Sequence, residues 1–496
     1  MSNAARQTES SDRVASALPV HRDLFYGGQW HRPLSGRYET DFSPFDGRDL
    51  GKVAVADVAD VDLAVKAAAE GYKKWRSVPI PERGLLLRKI AEILREHAEE
   101  LAIIDAIDCG NPVREMTNDA KVGAAMFDYF AGIAYELKGE TIPLGDGVID
   151  YTLREPLGVV ARLSPYNHPL MFSAARAAAP LAAGNSIILK PPHQAPLSAL
   201  RMLELIGLVL PPGVINMLPG FVECGQSLAS HPGIAKVAFT GSVPTGRAIM
   251  HAAADTIKPT VMELGGKNAL IVYPDADLEK AADAAVRGMN FIWCGQSCGS
   301  TSRLFLHEKI YDQVLADVVG RCGKIEPGDP TDFATNMGCL VSEQQWKKVM
   351  GYVEKGKSEG ARLMTGGRRP PGKVFEKGFF IEPTVFADVT PEMAIAREEI
   401  FGPVVSVFKW SDEEKMLDQV NAVEYGLTAS IWTRDLATAH LTAGRVQAGF
   451  VWVNQVSMHF IGAPFGGYKQ SGIGREECID ELLAYTQIKN VHVKLN

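Results

Sequence analysis

The 496-residue chain is longer than one hydrophobic core usually supports, so we expect two or three domains. With 46% hydrophobic and 22% charged residues the composition is that of a globular protein, and the net charge of −8 disfavours a nucleic-acid-binding or anionic-membrane-binding function. No stretch reaches the roughly 20 unbroken apolar residues that span a bilayer. The seven cysteines are scattered and form no CxxC pair or zinc-ligand cluster. We therefore expect a cytoplasmic protein with free thiols and no metal site.

The N-terminal part of the chain reads as a leader followed by helices. The first two dozen residues are polar and of mixed charge, which predicts a flexible leader ahead of a fold that begins near Leu24. Apolar residues at helical spacing then predict amphipathic surface helices over residues 63–76 and 81–104. Residues 151–160, which follow a glycine-rich turn, are predicted to be extended.

From residue 159 onwards, short apolar runs alternate with helical patterns, which is typical of a parallel sheet with helical crossovers. The predicted elements are strands at 159–163, 186–190, 214–218, 237–240 and 260–263 and helices over 169–183 and 197–210. A second α/β set is predicted with strands at 268–272, 303–306, near 379–385 and at 404–410, and helices over 278–288 and 311–320. Residues 488–494 are predicted to form a terminal strand, which pairs either with another subunit or with a sheet edge in its own domain.

The most informative stretch runs from Cys294 to Arg303, where glycines and small polar residues surround Cys294 and Cys298 just before a predicted strand. Cysteine is a strong nucleophile once it is deprotonated, and a structural cysteine in a tight turn is the alternative on composition alone. The same stretch matches the G-x-S-x-G pattern of serine hydrolases. That motif requires a strand before the serine and a helix after it, whereas the predicted order here is reversed, so Ser297 is disfavoured as a nucleophile.

Two further motifs follow predicted strands, at the edge of a parallel sheet where ligands bind. Glu263 precedes two glycines at a position where a general base is useful, although most glutamates are simply solvated. Residues 239–242 lead into a helix whose N-terminus suits a phosphate. Because Arg247-Ala248 replaces the Lys-Ser/Thr pair of P-loop NTPases and no full G-x-G-x-x-G fingerprint is present, the motif alone does not identify a nicotinamide cofactor, and an ordinary strand–helix turn stays open.

Taken together, these stretches resemble the aldehyde dehydrogenase superfamily, and the resemblance extends over almost the whole chain. Seven motifs occur in the family's order, and this order makes the resemblance specific. They are Pro165-Tyr-Asn-His-Pro169, Lys190-Pro-Pro, Phe239-Thr-Gly-Ser242, Glu263-Leu-Gly-Gly, Gly295-Gln-Ser-Cys298, Glu399-Ile-Phe-Gly-Pro403 and Pro464-Phe-Gly-Gly-Tyr-Lys469.

The resemblance implies an α/β fold with two Rossmann-like domains and a small β oligomerisation element. The implied segments are an NAD(P)-binding domain at 1–136 and 156–264, a catalytic domain at 265–470, and the oligomerisation element at 137–155 and 471–496. The implied partners are a small-molecule aldehyde and further copies of the chain in a homodimer or homotetramer, with neither a nucleic acid nor a membrane among them.

The resemblance also implies the catalytic residues. Cys298 matches the nucleophile, Asn167 matches the amide that forms an oxyanion hole with the Cys298 backbone N–H, and Glu263 matches the general base. In the implied reaction the thiolate attacks the aldehyde, hydride passes to a nicotinamide, and Glu263 activates the water that hydrolyses the thioester. Glu476 matches a second carboxylate used for proton relay. Retention of Glu263 favours hydrolysis over transfer to coenzyme A.

The implied cofactor is NAD or NADP. Lys190 and Glu399 match residues that hold the adenosine and nicotinamide riboses, and Ser242 matches a pyrophosphate contact. The other implied cofactor-binding residues are Pro165, Tyr166, Gly241, Leu264, Gly265 and Phe401. His193 stands where the family often has an acidic residue that repels a 2′-phosphate, so use of NADP beside or instead of NAD is expected.

The substrate pocket is implied by two segments. Ala175 stands where enzymes for succinic semialdehyde usually have an arginine, and Arg176 follows it. The small residue predicts room for a bulky, aromatic or amino aldehyde rather than a dicarboxylic semialdehyde. In the second segment, His459 and Phe465 predict a partly polar pocket.

Two other functions remain alternatives on the sequence. A thiol or serine hydrolase would use Cys298 or Ser297 without a cofactor. A non-catalytic member of the fold is expected to have lost Cys298, Asn167 or Glu263, and all three are present.

Overall fold

The computed structural model describes Val14 and residues 16–495. Most of the predicted leader lies outside these residues, and its last part is corrected by the structure. Val14 and Ala17 are only 5% and 4% exposed and pack into the first hydrophobic core. Arg22 donates a hydrogen bond to the carbonyl of Leu50. The packed chain therefore begins before Leu24, because apolar residues within the polar segment find a core to bury in.

Two short hairpins and a layer of helices form the first part of the chain. The elements are β1 (Leu24–Tyr26), β2 (Gln29–His31), β3 (Tyr38–Phe42), β4 (Asp49–Ala54), α1 (Val58–Trp75), α2 (Ile80–Glu96), α3 (Ala98–Cys109) and α4 (Val113–Ile133). The helix predicted over 81–104 is in fact α2 and α3, which meet at His97, where the backbone leaves helical geometry (φ −101°, ψ 14°). Nearly all of α3 is buried, so it is a core helix and not the predicted surface helix.

The first large sheet is built from the parallel strands that the sequence predicts. The next elements are β5 (Thr141–Ile142), β6 (Val148–Pro156), β7 (Val159–Leu163), α5 (Pro169–Ala182), β8 (Ser186–Lys190), α6 (Leu197–Ile206), β9 (Ile215–Met217), α7 (Val222–Ser230), β10 (Lys236–Gly241), α8 (Val243–Ala254) and β11 (Thr260–Leu264). Strands β9, β8, β7, β10 and β11 lie side by side and are parallel, and β1 and β2 extend the sheet beyond β9. The predicted strands and helices are confirmed to within four residues at their ends.

The second α/β unit has its own sheet and core. Its elements are β12 (Ala269–Val272), α9 (Leu278–Gly288), β13 (Arg303–His307), α10 (Tyr311–Cys322), α11 (Glu343–Ser358), β14 (Arg362–Thr365), β15 (Thr384–Ala387), α12 (Ala394–Arg397), β16 (Val404–Trp410), α13 (Glu413–Asn421), β17 (Tyr425–Gly426), β18 (Thr428–Trp432), α14 (Leu436–Arg445) and β19 (Phe450–Val453). The sheet order is β14-β15-β16-β13-β12-β18-β19. The strand predicted near 379–385 occupies β15, a few residues later.

The C-terminal segment divides between two parts of the fold. Its elements are β20 (Tyr468–Lys469), β21 (Gly472–Ile473), α15 (Ile479–Ala484) and β22 (Thr486–Lys494). Strand β21 pairs with β11 at the edge of the first sheet, and Leu482 and Tyr485 pack into the first core. Strand β22 joins β6 and β5 in a separate three-stranded sheet, and the predicted boundary at 471 stays a prediction.

This architecture brings three chain segments to one place. The loop after β7, the carboxyl end of β11 and the loop between α9 and β13 carry Asn167, Glu263 and Cys298. Within the described part, no helix is long and apolar enough to cross a membrane.

Candidate active site

Cys298 lies on a loop that is held from both sides. A 3-10 turn at Phe291–Trp293 precedes the loop and β13 follows it, so the local order is the reverse of a serine-hydrolase elbow. The side-chain amide of Asn268 donates to the carbonyl of Cys298 at 2.7 Å and to that of Ser300 at 2.9 Å. A Cβ at Gly266 would lie 2.4 Å from the Cys298 carbonyl oxygen, so only glycine permits this close approach. These contacts fix where the thiol points.

Glu263 faces the thiol from the end of β11. The side chain is 2% exposed, and among the described residues neither carboxyl oxygen accepts a hydrogen bond. Burial first, and the neighbouring Glu476 carboxylate second, raise the pKa of Glu263 to about 8. Burial and the Glu263 carboxylate in turn raise the pKa of the Cys298 thiol well above its ordinary value. The Glu263 carboxylate thus disfavours ionisation of the thiol, an electrostatic coupling that is expected where a nucleophile and a base share one small site.

Asn167 occupies the turn between β7 and α5 and is 4% exposed. Its backbone carbonyl accepts a 2.6 Å hydrogen bond from the side chain of Asn111, which is completely buried. Among the described residues, the Asn167 side-chain amide has no hydrogen-bond partner of its own. The side chain lines both cavities described below, so its N–H groups are available to a negative oxygen formed there.

The first cavity is a cleft of about 610 Å³ at the carboxyl edge of the first sheet. Asn167, Glu263 and Cys298 lie at one end of the cleft. The structure also brings all the predicted cofactor-binding residues to this cleft, namely Pro165, Tyr166, Lys190, His193, Gly241, Ser242, Leu264, Gly265, Glu399 and Phe401.

Two features of the cleft fit a dinucleotide. Ser242 caps the N-terminus of α8 by accepting a hydrogen bond from the Thr245 N–H, and both residues line the cleft at the positive end of the helix dipole, which suits a pyrophosphate. The Glu399 carboxylate accepts a 2.9 Å hydrogen bond from the Gly266 N–H, and a Cβ at Gly265 would lie 2.2 Å from this carboxylate. The glycine therefore lets a hydroxyl-binding carboxylate approach the backbone at the end of the cleft nearest the thiol.

The other end of the cleft carries no acidic residue among its lining side chains. Burial lowers the pKa of Lys190. The surrounding protein and the Lys190 ammonium lower the pKa of His193 to about 4, so its imidazole is neutral at neutral pH. This end is therefore free of negative charge, as the sequence predicts.

The second cavity, of about 650 Å³, opens on the opposite side of Cys298. It holds the four residues predicted for the substrate pocket, which are Ala175, Arg176, His459 and Phe465. Much of its wall is large and apolar, from Met126, Met171, Phe172, Trp293, Trp452, Met458 and Ile461. The two cavities share Asn167, Phe172, Glu263 and Cys298.

Glu476 lines neither cavity and lies in a buried cluster of charges. It accepts a 2.8 Å hydrogen bond from Arg162 and forms an ion pair with Arg176 at 3.1 Å. Although burial raises its pKa, the two guanidinium groups outweigh that effect and hold the pKa of Glu476 below its ordinary value. The proton-relay role of Glu476 stays a prediction, and in this geometry its charge acts on Glu263 through space. Arg176 also forms an ion pair and a hydrogen bond with Glu477 at 3.0 Å, so its positive charge is already balanced by two carboxylates.

Sequence reasoning missed several residues that shape the site. Asn268 and Asn111 hold the backbone of Cys298 and Asn167. Gln345 and Lys348, on α11, line the cofactor cleft from a helix that was not predicted. Asn268 follows directly on the Glu263-Leu-Gly-Gly-Lys motif, and this is the one signal that could have identified it.

The chain is similar to known proteins over nearly its whole length. The sequence profile of the Aldehyde dehydrogenase family matches residues 30–491. The chain is 52% identical to aldehyde dehydrogenase tropH of Talaromyces stipitatus over 489 residues, covering 97% of this chain and 95% of that protein. It is 43% identical to a betaine aldehyde dehydrogenase of Brucella melitensis, covering 95% and 97%. Among solved structures, an NAD⁺ complex of an aldehyde dehydrogenase from Bacillus cereus matches with a TM-score of 0.94 and 39% identity, covering 98% and 99% of the two chains.

Proposed function

Because the chain belongs to the aldehyde dehydrogenase family, and is thus an oxidoreductase acting on aldehydes, we propose that it oxidises a bulky, aromatic or amino aldehyde to the carboxylic acid with NAD or NADP. We propose that the reaction passes through a thioester on Cys298. The observation that carries this proposal is the position of Cys298, which lies where a cleft suited to a dinucleotide meets an apolar cavity.

Each catalytic residue has a distinct task in this proposal. The Cys298 thiol first releases its proton to solvent. The thiolate attacks the aldehyde carbon, and the Asn167 amide and the Cys298 backbone N–H stabilise the resulting oxyanion. The nicotinamide ring, when bound, supplies the hydride acceptor. While the sulfur is negative, Glu263 keeps its proton because two charges in this buried place repel each other. Once the sulfur is acylated and uncharged, Glu263 ionises and takes the proton of the water that attacks the thioester.

The cofactor assignment is supported in two ways. The Bacillus cereus enzyme that shares the fold is described in complex with NAD⁺. In this chain, the neutral His193 imidazole leaves the adenosine end of the cleft without a carboxylate that would repel a 2′-phosphate. We therefore propose that NADP⁺ is accepted as well as NAD⁺.

The substrate assignment rests on the second cavity. Aromatic and methionine side chains line it, so a large apolar body is favoured there. Its arginine, Arg176, is already paired with Glu476 and Glu477, so little positive charge remains to attract the carboxylate of a dicarboxylic semialdehyde. This pairing supports the preference predicted from Ala175.

The small β-sheet supports a proposed homo-oligomer. Ile149 and Leu153 on β6 and Ile488 on β22 are 46%, 43% and 63% exposed. Large apolar side chains left in water on one short sheet are typical of a subunit interface. Light scattering coupled to size exclusion tests this proposal, and a monomer at micromolar concentration would contradict it.

One experiment tests the dehydrogenase activity. A panel of aromatic, long aliphatic, amino and dicarboxylic aldehydes is offered with NAD⁺ and with NADP⁺, and the absorbance of the reduced cofactor is followed. We expect turnover of the bulky members, abolished by Cys298→Ala and retained by Cys322→Ala, whose thiol lies in α10 and lines neither cavity. No reduction with any aldehyde by the folded protein would overturn the proposal. Ester cleavage that survives Cys298→Ala and ignores the cofactor would indicate a Ser297 hydrolase instead.

A further inference from the structure

His168 is a buried polar residue of the second cavity that the proposed reaction does not use. It follows Asn167 directly and immediately precedes α5. The residue is 6% exposed and lines the second cavity. Its Nδ1 lies 2.7 Å from Oδ2 of Asp119 on α4, and both side chains are 8% exposed. A buried histidine–carboxylate pair therefore forms part of an otherwise mostly apolar wall.

The pair fixes how the imidazole is oriented. The ring packs edge-on against Trp293, with centroids 4.6 Å apart, and more loosely against Phe172, at 6.2 Å. Since Nδ1 is taken by Asp119, Nε2 is the nitrogen left for other partners. Within the described residues, Nε2 has no hydrogen-bond partner. A polar atom left unpaired in a buried apolar wall is costly unless a ligand satisfies it.

We propose that His168, held by Asp119, is a specificity-determining residue whose Nε2 hydrogen-bonds an oxygen substituent, a hydroxyl or a carbonyl, on an aromatic aldehyde in the second cavity. This inference rests on the proposed dehydrogenase function and narrows its substrate class.

The charges of the cavity explain why the partner is an uncharged oxygen. Burial lowers the pKa of His168, but the carboxylates of Asp119, Asp105 and Glu115 outweigh this and raise it above its ordinary value. The raised pKa favours the protonated imidazole, in which Nε2–H donates. Because Asp119 already balances that positive charge, a substrate carboxylate gains little there and would face Glu115 as well.

An ammonium group on the substrate is disfavoured because the carboxylates that could bind it already form ion pairs. Glu477 is paired with Arg176 at 3.0 Å and with His459 at 3.2 Å, and Asp119 is paired with His168. These two carboxylates are therefore not free to receive an amino aldehyde, and Glu115, which also lines the cavity, forms an ion pair with Arg114 at 3.2 Å. The Nε2–H of His168 is a fixed donor in a mostly apolar cavity. It therefore favours an aromatic ring that carries an oxygen substituent at one position.

The test compares matched substrates within each enzyme variant. The three hydroxybenzaldehydes and the three methylbenzaldehydes have nearly the same shape and differ in the hydrogen-bonding oxygen. In the unmodified enzyme we expect kcat/KM for at least one hydroxy isomer to exceed that of its methyl counterpart about tenfold or more, since a site built to bond a hydroxyl rejects the analogue that lacks it. In His168→Phe and in His168→Leu the ratio is expected to fall to within about twofold of unity.

Further variants separate hydrogen bonding from shape. His168→Gln keeps a donor and is expected to retain part of the preference, whereas Asp119→Asn loosens the ring and is expected to weaken it. His459→Phe removes the other histidine of the same cavity and is expected to keep the unmodified ratio. Circular dichroism checks that each variant is folded. If either His168→Phe or His168→Leu does not fold, the comparison is made with the other.

Two results would overturn the inference. One is a ratio near unity at all three ring positions in the unmodified enzyme, and the other is an unmodified preference in a folded His168→Phe or His168→Leu. Failure of the proposed function is distinguishable from these, because then no aldehyde of either series reduces the cofactor.

Discussion

Replacement of Glu263 by glutamine separates the two halves of the proposed reaction. The carboxyl group is 2% exposed, accepts no hydrogen bond from the described residues and has its pKa raised to about 8. At pH 7 it is therefore about nine-tenths protonated, so a neutral amide of the same shape should change the free energy of unfolding by less than about 1 kcal/mol. Loss of a general base lowers a rate about 10²- to 10⁴-fold, and here only thioester hydrolysis needs the base.

The assay is rapid mixing with excess aldehyde. We expect Glu263→Gln to release about one reduced cofactor per site in a burst and then to turn over 10²- to 10⁴-fold more slowly than the unmodified enzyme. In the unmodified enzyme, the hydrolysis rate should rise about tenfold between pH 7 and pH 9, because Glu263 loses its proton as the pH passes about 8. The variant should show no such rise.

The control for Glu263→Gln is Glu115→Gln, which neutralises another carboxylate of the second cavity. It should keep both the burst and the pH-dependent rise. A burst lost together with steady-state turnover in Glu263→Gln would refute the assignment of Glu263 to hydrolysis alone. An unchanged steady state would refute its role as a base.

Three further changes test other parts of the site. Asn167→Ala should lower the single-turnover rate about 10²- to 10³-fold, because it removes one oxyanion donor, whereas Asn118→Ala at the same cavity should leave that rate within a few fold. Glu476→Gln should lower the thermal midpoint, since breaking a buried ion pair costs about 3–5 kcal/mol. It should also shift the alkaline pH limb assigned to Glu263 towards lower pH, because a carboxylate that raises the pKa of Glu263 is gone. His193→Asp should lower kcat/KM with NADP⁺ about tenfold relative to NAD⁺, and an unchanged ratio measured with both cofactors would show that this position does not read the 2′-phosphate.

The strands of the first sheet were predictable because they are buried on both faces. Strands β7 and β8 are short apolar runs bounded by turn residues, and this pattern can be recognised in the sequence alone. The residues at their carboxyl ends could be placed for the same reason. Because the strands are parallel, their carboxyl ends lie at one edge of the sheet, where Asn167 and Glu263 line the first cavity.

Helix α3 shows why other elements could not be predicted. Asp105 and Asp108 give it the charges of a surface helix, yet both are completely buried. Their carboxylates accept hydrogen bonds from the backbone N–H groups of Leu170, at 3.3 Å, and Leu197, at 2.8 Å, in the first turns of α5 and α6. Burial raises the pKa of Asp105 to about 7. Such long-range capping leaves no trace in the local pattern, so it is visible only in the folded chain.

The same limit applies to the residues around the thiol. Asn268 holds the Cys298 carbonyl from 30 residues away, and Asn111 holds that of Asn167 from 56 residues away. Neither has a spacing that predicts a role. The reacting groups are recognisable by their motifs, whereas the side chains that hold them depend on contacts between distant segments.

The junction of the two cavities at Cys298 has a kinetic consequence. The cleft and the apolar cavity share four residues around the reaction centre and have different lining residues everywhere else. In the proposed reaction, dinucleotide and aldehyde would therefore occupy different cavities that adjoin at Cys298. We expect that the reduced cofactor can leave while the acyl group is still attached to the sulfur. The protein would then exchange one ligand before the second half of its reaction is completed.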